Sequence, residues 1–156
     1  MKQHYLHILA VFVAMLLPCF ALAALDVDSS FEYEGITYVV TDARPLTVKI
    51  RNPRGGAAIS IGPSIPVTIP SVVKDAEGNE YTVTEIGSSA FAECISLPAV
   101  TIPNTVTSIG IDAFYLCSSL NAITIPSSVT EIKYNPFVWC TGLSSIVVES
   151  GNTFYD

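Results

Sequence analysis

The amino-acid sequence predicts a repeat solenoid of 23-residue coils behind a β-rich N-terminal cap, each coil being a short β-strand followed by a short helical turn. Three ladders of identical residues lead to this fold class, because self-similarity at a fixed period marks a repeat architecture. The ladders are Phe91, Phe114 and Phe137; Cys94, Cys117 and Cys140; and Leu97, Leu120 and Leu143. Further ladders of Val and Ile keep the same 23-residue step, so the period does not rest on a single residue type.

The N-terminus has the layout of a secretory signal peptide. Lys2 supplies a positive start, residues 6–17 are almost wholly apolar, and Ala21-Leu22-Ala23 gives small residues where a signal peptidase cleaves. Because a run of 12 residues is too short to cross a bilayer as a helix, we predict cleavage after this triplet rather than a retained anchor. Cys19 raises the alternative of lipidation, but Pro18 stands where lipid attachment usually requires a small residue.

The region between this leader and the repeats favours strands. Residues 31–40 predict two strand segments around Gly35, and residues 47–51 and 65–73 add further extended runs. The sequence Asp75-Ala-Glu-Gly-Asn79 lies between two β-rich stretches and has the composition of a hairpin turn. Since the end of a solenoid exposes apolar surface, we expect this region to cap the stack.

Within each repeat the pattern predicts a strand and then a helical turn. Ile123 and Ile125 alternate with a threonine, which is the period of a strand with one buried face, and the proline that follows ends the strand. Ser89, Asp112 and Asn135 occupy equivalent positions, and all three are residue types that favour helix N-caps. Stacked coils would bury the Phe, Cys and Leu ladders in one column, with strands about 4.8 Å apart.

Composition and charge argue against several classes of function. The net charge of −7, or −8 without the leader, suits neither nucleic-acid phosphates nor an anionic membrane surface. Both histidines lie in the leader, so the mature chain has no histidine base to activate a serine. The paired carboxylates fall on predicted surface strands and turns. We therefore predict a protein that is not an enzyme, binds no cofactor or metal, and does not insert into a membrane after signal cleavage.

The three mature cysteines allow three interpretations. Stacked positions could come within the Cα separation of a disulfide, although an odd count would leave one thiol free. A zinc site would need further ligands, and the mature chain has no histidine to complete one. We favour buried free thiols that pack against the Phe and Leu ladders, while the redox state of the cysteines is left open by the sequence.

The motifs Ile-Pro, Ile-Gly, Ala-Phe, Cys and Leu recur at fixed offsets, as in residues 101–120. This pattern resembles the unit of BspA-type leucine-rich-repeat surface proteins over roughly residues 65–150. The resemblance implies a leucine-rich-repeat solenoid in an exported bacterial protein, often surface-attached, that binds host or neighbouring-cell proteins. The third unit departs from the pattern, with Lys133 and Pro136 where the others have glycine and alanine. The last residues enter a further coil without completing it, and we interpret this end as a truncation rather than a cap.

Two sets of side chains are candidate partner-binding residues. Thr101 and Thr124 belong to a small, uncharged strand face that suits flat contact. Tyr115, Leu116 and Trp139 are large residues between the Phe and Cys ladders and could form an interaction patch. Lateral packing along the stack is the other interpretation of these three, and it is the one we favour.

The predicted organisation is a signal peptide, a β-rich cap and a leucine-rich-repeat solenoid that is truncated at its C-terminal end, over residues 1–23, 24–80 and 81–156. The expected function is that of a secreted or cell-surface module for protein binding or adhesion, with a host or neighbouring-cell surface protein as partner. The alternatives are a structural spacer or an inactive fragment of a larger surface protein and, more distantly, weak carbohydrate binding.

Overall fold

Two β-sheets carry the fold in the computed structural model, which describes residues 24–51, 57–59 and 64–155. The predicted signal peptide, residues 1–23, lies outside the described residues. The strands are β1 (Ser30–Tyr33), β2 (Ile36–Ala43), β3 (Leu46–Ile50), β4 (Val67–Thr68), β5 (Val72–Lys74), β6 (Glu80–Ile86), β7 (Ala99–Thr101), β8 (Ser108–Ile109), β9 (Ala122–Ile125), β10 (Glu131–Ile132) and β11 (Ser145–Val148).

Parallel pairing between successive repeats organises both sheets. The first sheet has the order β1-β2-β3-β6-β8-β10, with β5 also paired to β6, and the second has the order β11-β9-β7-β4. Val100 pairs with Ile123, and Ile123 pairs with Ile146, so each parallel pair advances by the 23-residue repeat. The pair before them, Val67 with Val100, spans a longer coil that contains the β5–β6 hairpin.

The phenylalanine ladder forms a single file through the interior. The rings of Phe91 and Phe114 are stacked with centroids 5.1 Å apart and planes at 6°, and those of Phe114 and Phe137 with centroids 5.6 Å apart and planes at 17°. Phe91 and Phe114 are fully buried, together with Leu97, Leu120 and most of the Val and Ile ladders. The predicted column of identical side chains is therefore confirmed.

The predicted helical turn is not found, because the described residues contain no α-helix. Each coil instead has a run of β-turns, which we call the turn ribbon (residues 88–94, 111–117 and 134–140). Within it Ala92 N–H donates to Ser89 O and Cys94 N–H donates to Phe91 O. The described part of the chain also has no helix long and apolar enough to cross a membrane.

Hydrogen bonding between coils explains why a helix does not form. Phe91 N–H donates to Ala113 O at 2.7 Å, and Phe114 N–H donates to Pro136 O at 2.8 Å, each across to the next coil. A helix would instead pair these N–H groups within their own coil. Ser89, Asp112 and Asn135 are not N-caps either, since their φ angles of 56°, 51° and 57° are left-handed, whereas an N-cap residue has an extended conformation.

The strands that precede the repeats cover one end of the stack. The strands β1, β2 and β3 form antiparallel hairpins, and β3 then pairs in parallel with β6. Ala58 N–H donates to Ala90 O at 2.7 Å, so this region also meets the turn ribbon of the first coil. The strands predicted around Gly35 and the hairpin predicted at residues 75–79 are both confirmed.

A buried carboxylate holds the β5–β6 hairpin together. The Asp75 carboxylate accepts hydrogen bonds from Asn79 N–H, from Asn79 Nδ2 and from the Tyr81 hydroxyl, all at 2.8–2.9 Å. The Tyr81 hydroxyl in turn accepts from Leu25 N–H at 2.8 Å and so links the N-terminal segment to the hairpin. Burial alone would raise the pKa of Asp75, but the bonds from Asn79 and Tyr81 outweigh it and hold the pKa below its ordinary value of 3.8.

An asparagine replaces valine in one ladder at the C-terminal end. Asn152 follows Val129 by one repeat and is fully buried. Its side-chain amide donates to Pro126 O and to Val129 O, both at 3.0 Å, and its oxygen accepts from the N–H groups of Phe154 and Tyr155. The segment after β11 therefore folds back onto the third coil.

The Phe114→Ala substitution is expected to lower the free energy of unfolding by about 3–5 kcal/mol, since it leaves a cavity between the stacked rings of Phe91 and Phe137. Urea or thermal unfolding measures the loss. Tyr134→Ala is the matched control, because Tyr134 is 74% exposed and its truncation should change stability by less than about 0.5 kcal/mol. Equal effects of the two substitutions would contradict the stacked interior.

The Asp75→Asn substitution is expected to change the pH dependence of stability. Because the pKa of Asp75 is lower in the folded state, its contribution to stability is present above the unfolded value and is lost as pH falls from about 4. Urea unfolding should therefore find wild type more stable than the variant at pH 7, and the difference should shrink towards about pH 2. A difference that stays constant over this range would contradict the prediction.

Candidate functional site

The outward face of the second sheet is flat and uncharged. Thr68 pairs with Thr101, and Thr124 pairs with Val147, in one parallel register, and all four are exposed. Their neighbours Val100 and Ile123 point inward and are buried. The strands of this sheet carry no ionisable side chain. Thr101 and Thr124 thus lie in one row that offers hydroxyl and methyl groups without charge.

The first sheet differs, since charged side chains lie across its strands. Lys133 Nζ is 3.7 Å from Glu131 and 3.9 Å from Glu85, and Ser108 donates to Glu131 at 3.0 Å. Exposed ion pairs of this kind contribute about 0–1 kcal/mol. The two sheet faces would therefore select different partners, and a surface for neutral contact exists only on the second sheet among the strands described.

The three large candidates, Tyr115, Leu116 and Trp139, lie on the turn ribbon. Tyr115 and Leu116 are half-buried, whereas Trp139 is 63% exposed. Leu116 N–H donates to Val138 O at 2.9 Å, which places these residues side by side on adjacent coils. The three segments of the ribbon lie between β6 and β7, between β8 and β9, and between β10 and β11 along the chain, and no described hydrogen bond connects them to the threonine row. The candidate residues therefore form two surfaces rather than one.

The turn ribbon holds bulky residues in a left-handed conformation. Glu93, Leu116 and Trp139 occupy equivalent positions, and their φ angles are 63°, 59° and 60°. This conformation costs an L-residue with a side chain roughly 1–2 kcal/mol, and glycine or asparagine usually occupies it. The sequence has neither residue at these positions, so sequence reasoning missed this strain.

The cysteine ladder is buried, and no disulfide joins its members. Cys94, Cys117 and Cys140 are free thiols. Cys117 Sγ donates to Phe91 O at 3.1 Å, and Cys140 Sγ donates to Phe114 O at 3.0 Å. Burial raises the pKa of Cys94 to about 11, and the contact with Cys140 together with burial raises that of Cys117. The thiols of Cys94 and Cys117 are therefore held in their protonated form, whereas the contact with Cys117 lowers the pKa of Cys140.

Comparison with known proteins identifies a family whose repeats match those of this chain. A family model described as "BspA type Leucine rich repeat region" matches residues 79–156 in six copies. A leucine-rich repeat protein from Bacteroides capillosus ATCC 29799 is 27% identical with a TM-score of 0.55, and the alignment covers 78% of this chain and 99% of that one. The search among curated proteins found no match.

Two longer bacterial structures are also similar. A leucine-rich cell surface protein from Faecalibacterium prausnitzii A2-165 is 28% identical with a TM-score of 0.64, and the alignment covers 80% of this chain and 33% of that one. The leucine-rich repeat protein of T. pallidum is 28% identical with a TM-score of 0.61, and the alignment covers 76% of this chain and 50% of that one. The match thus spans a third of one relative and half of the other.

The Glu93→Gly substitution is expected to raise the free energy of unfolding by about 0.5–1 kcal/mol relative to Glu93→Ala. Glycine removes the left-handed strain of about 1–2 kcal/mol, and its greater freedom in the unfolded chain offsets part of that gain. Glu93 is exposed, so neither variant disturbs the core. Urea unfolding of both variants measures the difference, and a glycine variant less stable than the alanine variant would contradict the strain.

Proposed function

This chain belongs to the BspA-type leucine-rich-repeat family, and we propose that it is a secreted or cell-surface protein that binds another protein, as an adhesion module does. The leader-like composition of residues 1–23 supports export, and the cell-surface description of one similar structure agrees with it. The proposed organisation is a signal peptide over residues 1–23, a β-rich cap over 24–80 and a solenoid over 81–156. The partner is a protein on a host cell or a neighbouring cell.

The exposure of Trp139 is the observation that carries the proposal. Its side chain is 63% exposed, so it contributes little to the core, and its backbone is in the left-handed conformation that a tryptophan disfavours. Neither packing against the described coils nor backbone preference accounts for a tryptophan at this position. Exposed tryptophan and tyrosine are the side chains that most often anchor protein interfaces. Tyr115 and Leu116, on the preceding coil, extend the same surface.

The threonine row is the second proposed contact. Thr101 and Thr124 face outward on a sheet without ionisable groups, and such a surface fits a flat and neutral partner. A row of small side chains lets the partner approach closely, while the aromatic group on the ribbon provides most of the binding energy. No catalytic role is proposed, because the mature chain lacks the histidine that nucleophilic chemistry would require.

A structural spacer is the competing function, and the half-burial of Tyr115 and Leu116 favours it. In that case these side chains pack laterally along the stack and meet no partner. The two functions assign different roles to Trp139, because an exposed side chain is available to a partner but contributes little to packing along the stack.

Site-specific crosslinking tests the proposal. A photoreactive phenylalanine analogue replaces Trp139 in the full chain, and intact host or bacterial cells are the target. We expect one dominant crosslinked surface protein from position 139 and none from position 93, which is the equivalent exposed position in the first coil. In a binding assay with that protein, Trp139→Ala should weaken affinity roughly tenfold or more, as for an aromatic hot spot.

Equal crosslinking from positions 139 and 93 would contradict the proposal, as would unchanged binding of a correctly folded Trp139→Ala variant. Either result would favour the spacer. Circular dichroism and a thermal melt of each variant establish that it is folded.

A further inference from the structure

The turn ribbon carries a row of oxygen-bearing side chains, which we call the oxygen row. It consists of Ser89, Asp112 and Asn135, which are equivalent in three successive coils and are all half-buried. Ser89 N–H donates to Ile111 O at 2.9 Å. Asp112 N–H donates to Tyr134 O at 3.2 Å. These bonds hold the coils in register, so a hydroxyl, a carboxylate and an amide follow one another along the stack.

The side chains of the oxygen row make no hydrogen bond and no ion pair within residues 24–51, 57–59 and 64–155. Their main-chain groups are paired by contrast, as Asp112 O accepts from Tyr115 N–H at 3.0 Å. Half-burial takes part of the Asp112 carboxylate out of water, and a carboxylate that loses water without gaining a partner is unfavourable. A ligand that supplies donors to the row removes this penalty.

The charge of the turn ribbon selects the sign of that ligand. Residues 88–94, 111–117 and 134–140 contain two carboxylates, those of Glu93 and Asp112, and no lysine, arginine or histidine. Lys133 precedes the third segment, but its Nζ lies 3.7 Å from Glu131 and 3.9 Å from Glu85 on the first sheet. Because complementary charge steers a partner and fixes its register, the group that fits opposite Asp112 is a cation.

Apolar side chains border Asp112 along its own coil. Ile111 precedes it and is 44% exposed, and Tyr115 follows it and is half-buried. Ribbon segments of a preceding and a following coil flank Asp112, so this setting belongs to the side of the stack and to neither of its ends. A cation with an aliphatic stem and a flat head can pack its stem against Ile111 and its head against the ring of Tyr115.

Arginine meets these requirements better than a metal ion or lysine. The described residues hold no group of three or more side chains that could bind a metal ion. The guanidinium group is planar and presents five N–H donors, so it can serve the Asp112 carboxylate and also the oxygen of Ser89 or Asn135 on an adjacent coil. The ammonium group of lysine has three donors on a compact charge and no flat face to stack.

We propose that the oxygen row binds an arginine side chain of the protein partner, with the guanidinium group against the Asp112 carboxylate and the stem along Ile111. The inference rests on the proposed protein-binding function and names the chemistry that the partner presents. Arginine is among the residues that most often carry the binding energy of interfaces, together with tryptophan and tyrosine. The oxygen row and Trp139 thereby contact one partner at two points of the same ribbon.

The probe is the peptide acetyl-Leu-Arg-Leu-amide, which is added to the full chain and followed by two-dimensional NMR. Its control is the same peptide with citrulline, which keeps the planar shape of arginine but has no charge. The arginine peptide is expected to shift the main-chain amide signal of Asp112 and the side-chain amide signals of Asn135. The citrulline peptide should bind roughly tenfold or more weakly, because hydrogen bonds between charged groups are stronger than those of a neutral donor.

Asp112→Asn removes the charge and keeps the shape of the side chain. The backbone tolerates it, because Asn135 occupies the equivalent position in the same left-handed conformation. The variant should bind the arginine peptide roughly tenfold or more weakly. Glu32→Gln is the matched control, since it removes one unit of charge at an exposed position of β1 and should leave binding unchanged. Unchanged amide signals in the rest of the chain establish that each variant is folded.

Several outcomes would overturn the inference. They are equal binding of the citrulline peptide, unchanged binding by Asp112→Asn, equal weakening by Glu32→Gln, and shifts of the same signals by calcium chloride. A dimer of the chain that Asp112→Asn dissociates would also overturn it, because the row would then serve a second copy. Peptide binding without crosslinking from position 139 supports the oxygen row and counts against the Trp139 surface alone.

Discussion

The register in which successive coils stack is the constraint on which the rest of the structure depends. The 23-residue step pairs the strands of both sheets, brings the phenylalanine rings to 5.1 Å and 5.6 Å, and aligns the ribbon donors with their acceptors. A shift by one residue would turn inward strand residues outward. The backbones also approach closely, since a Cβ on Gly110 would lie 2.5 Å from the backbone of Gly87. Backbone contact and side-chain identity therefore enforce the same register.

The parts of the fold that follow from buried side chains could be predicted from sequence. Phenylalanine recurs at a fixed step because the ring of each coil stacks on the ring of the coil before it, as Phe114 does on Phe91. Ile123 and Ile125 alternate with exposed residues because only one face of β9 is buried. The helical turn could not be predicted correctly, because Ser89, Asp112 and Asn135 are residue types that suit both an N-cap and a turn. The choice between helix and turn depends on the hydrogen bonds that main-chain N–H groups donate to the neighbouring coil. A local sequence pattern carries no information on these bonds.

The candidate site was less predictable for a related reason. Which side chains are large is visible in the sequence, but the exposure of Trp139 depends on what lies against its coil. Nothing in the sequence indicates the left-handed backbone at Leu116, since this leucine cannot be distinguished in the sequence from a core leucine. The cysteine ladder could be predicted in part. Its burial follows from the pattern, whereas donation from Cys117 Sγ to Phe91 O shows that the thiol also satisfies a carbonyl that leucine or alanine would leave with one partner fewer.

The hydrogen bonds of the turn ribbon give the stack a direction. The N–H groups of the earlier coil donate to carbonyl groups of the later coil, as from Phe91 to Ala113 and from Phe114 to Pro136. The first coil receives a bond in the same sense, since Ala58 N–H donates to Ala90 O. A coil can therefore join these coils in one orientation only, with its ribbon carbonyls towards the coil before it. Side-chain identity decides which residues meet across the stack, and backbone polarity decides the orientation in which they meet.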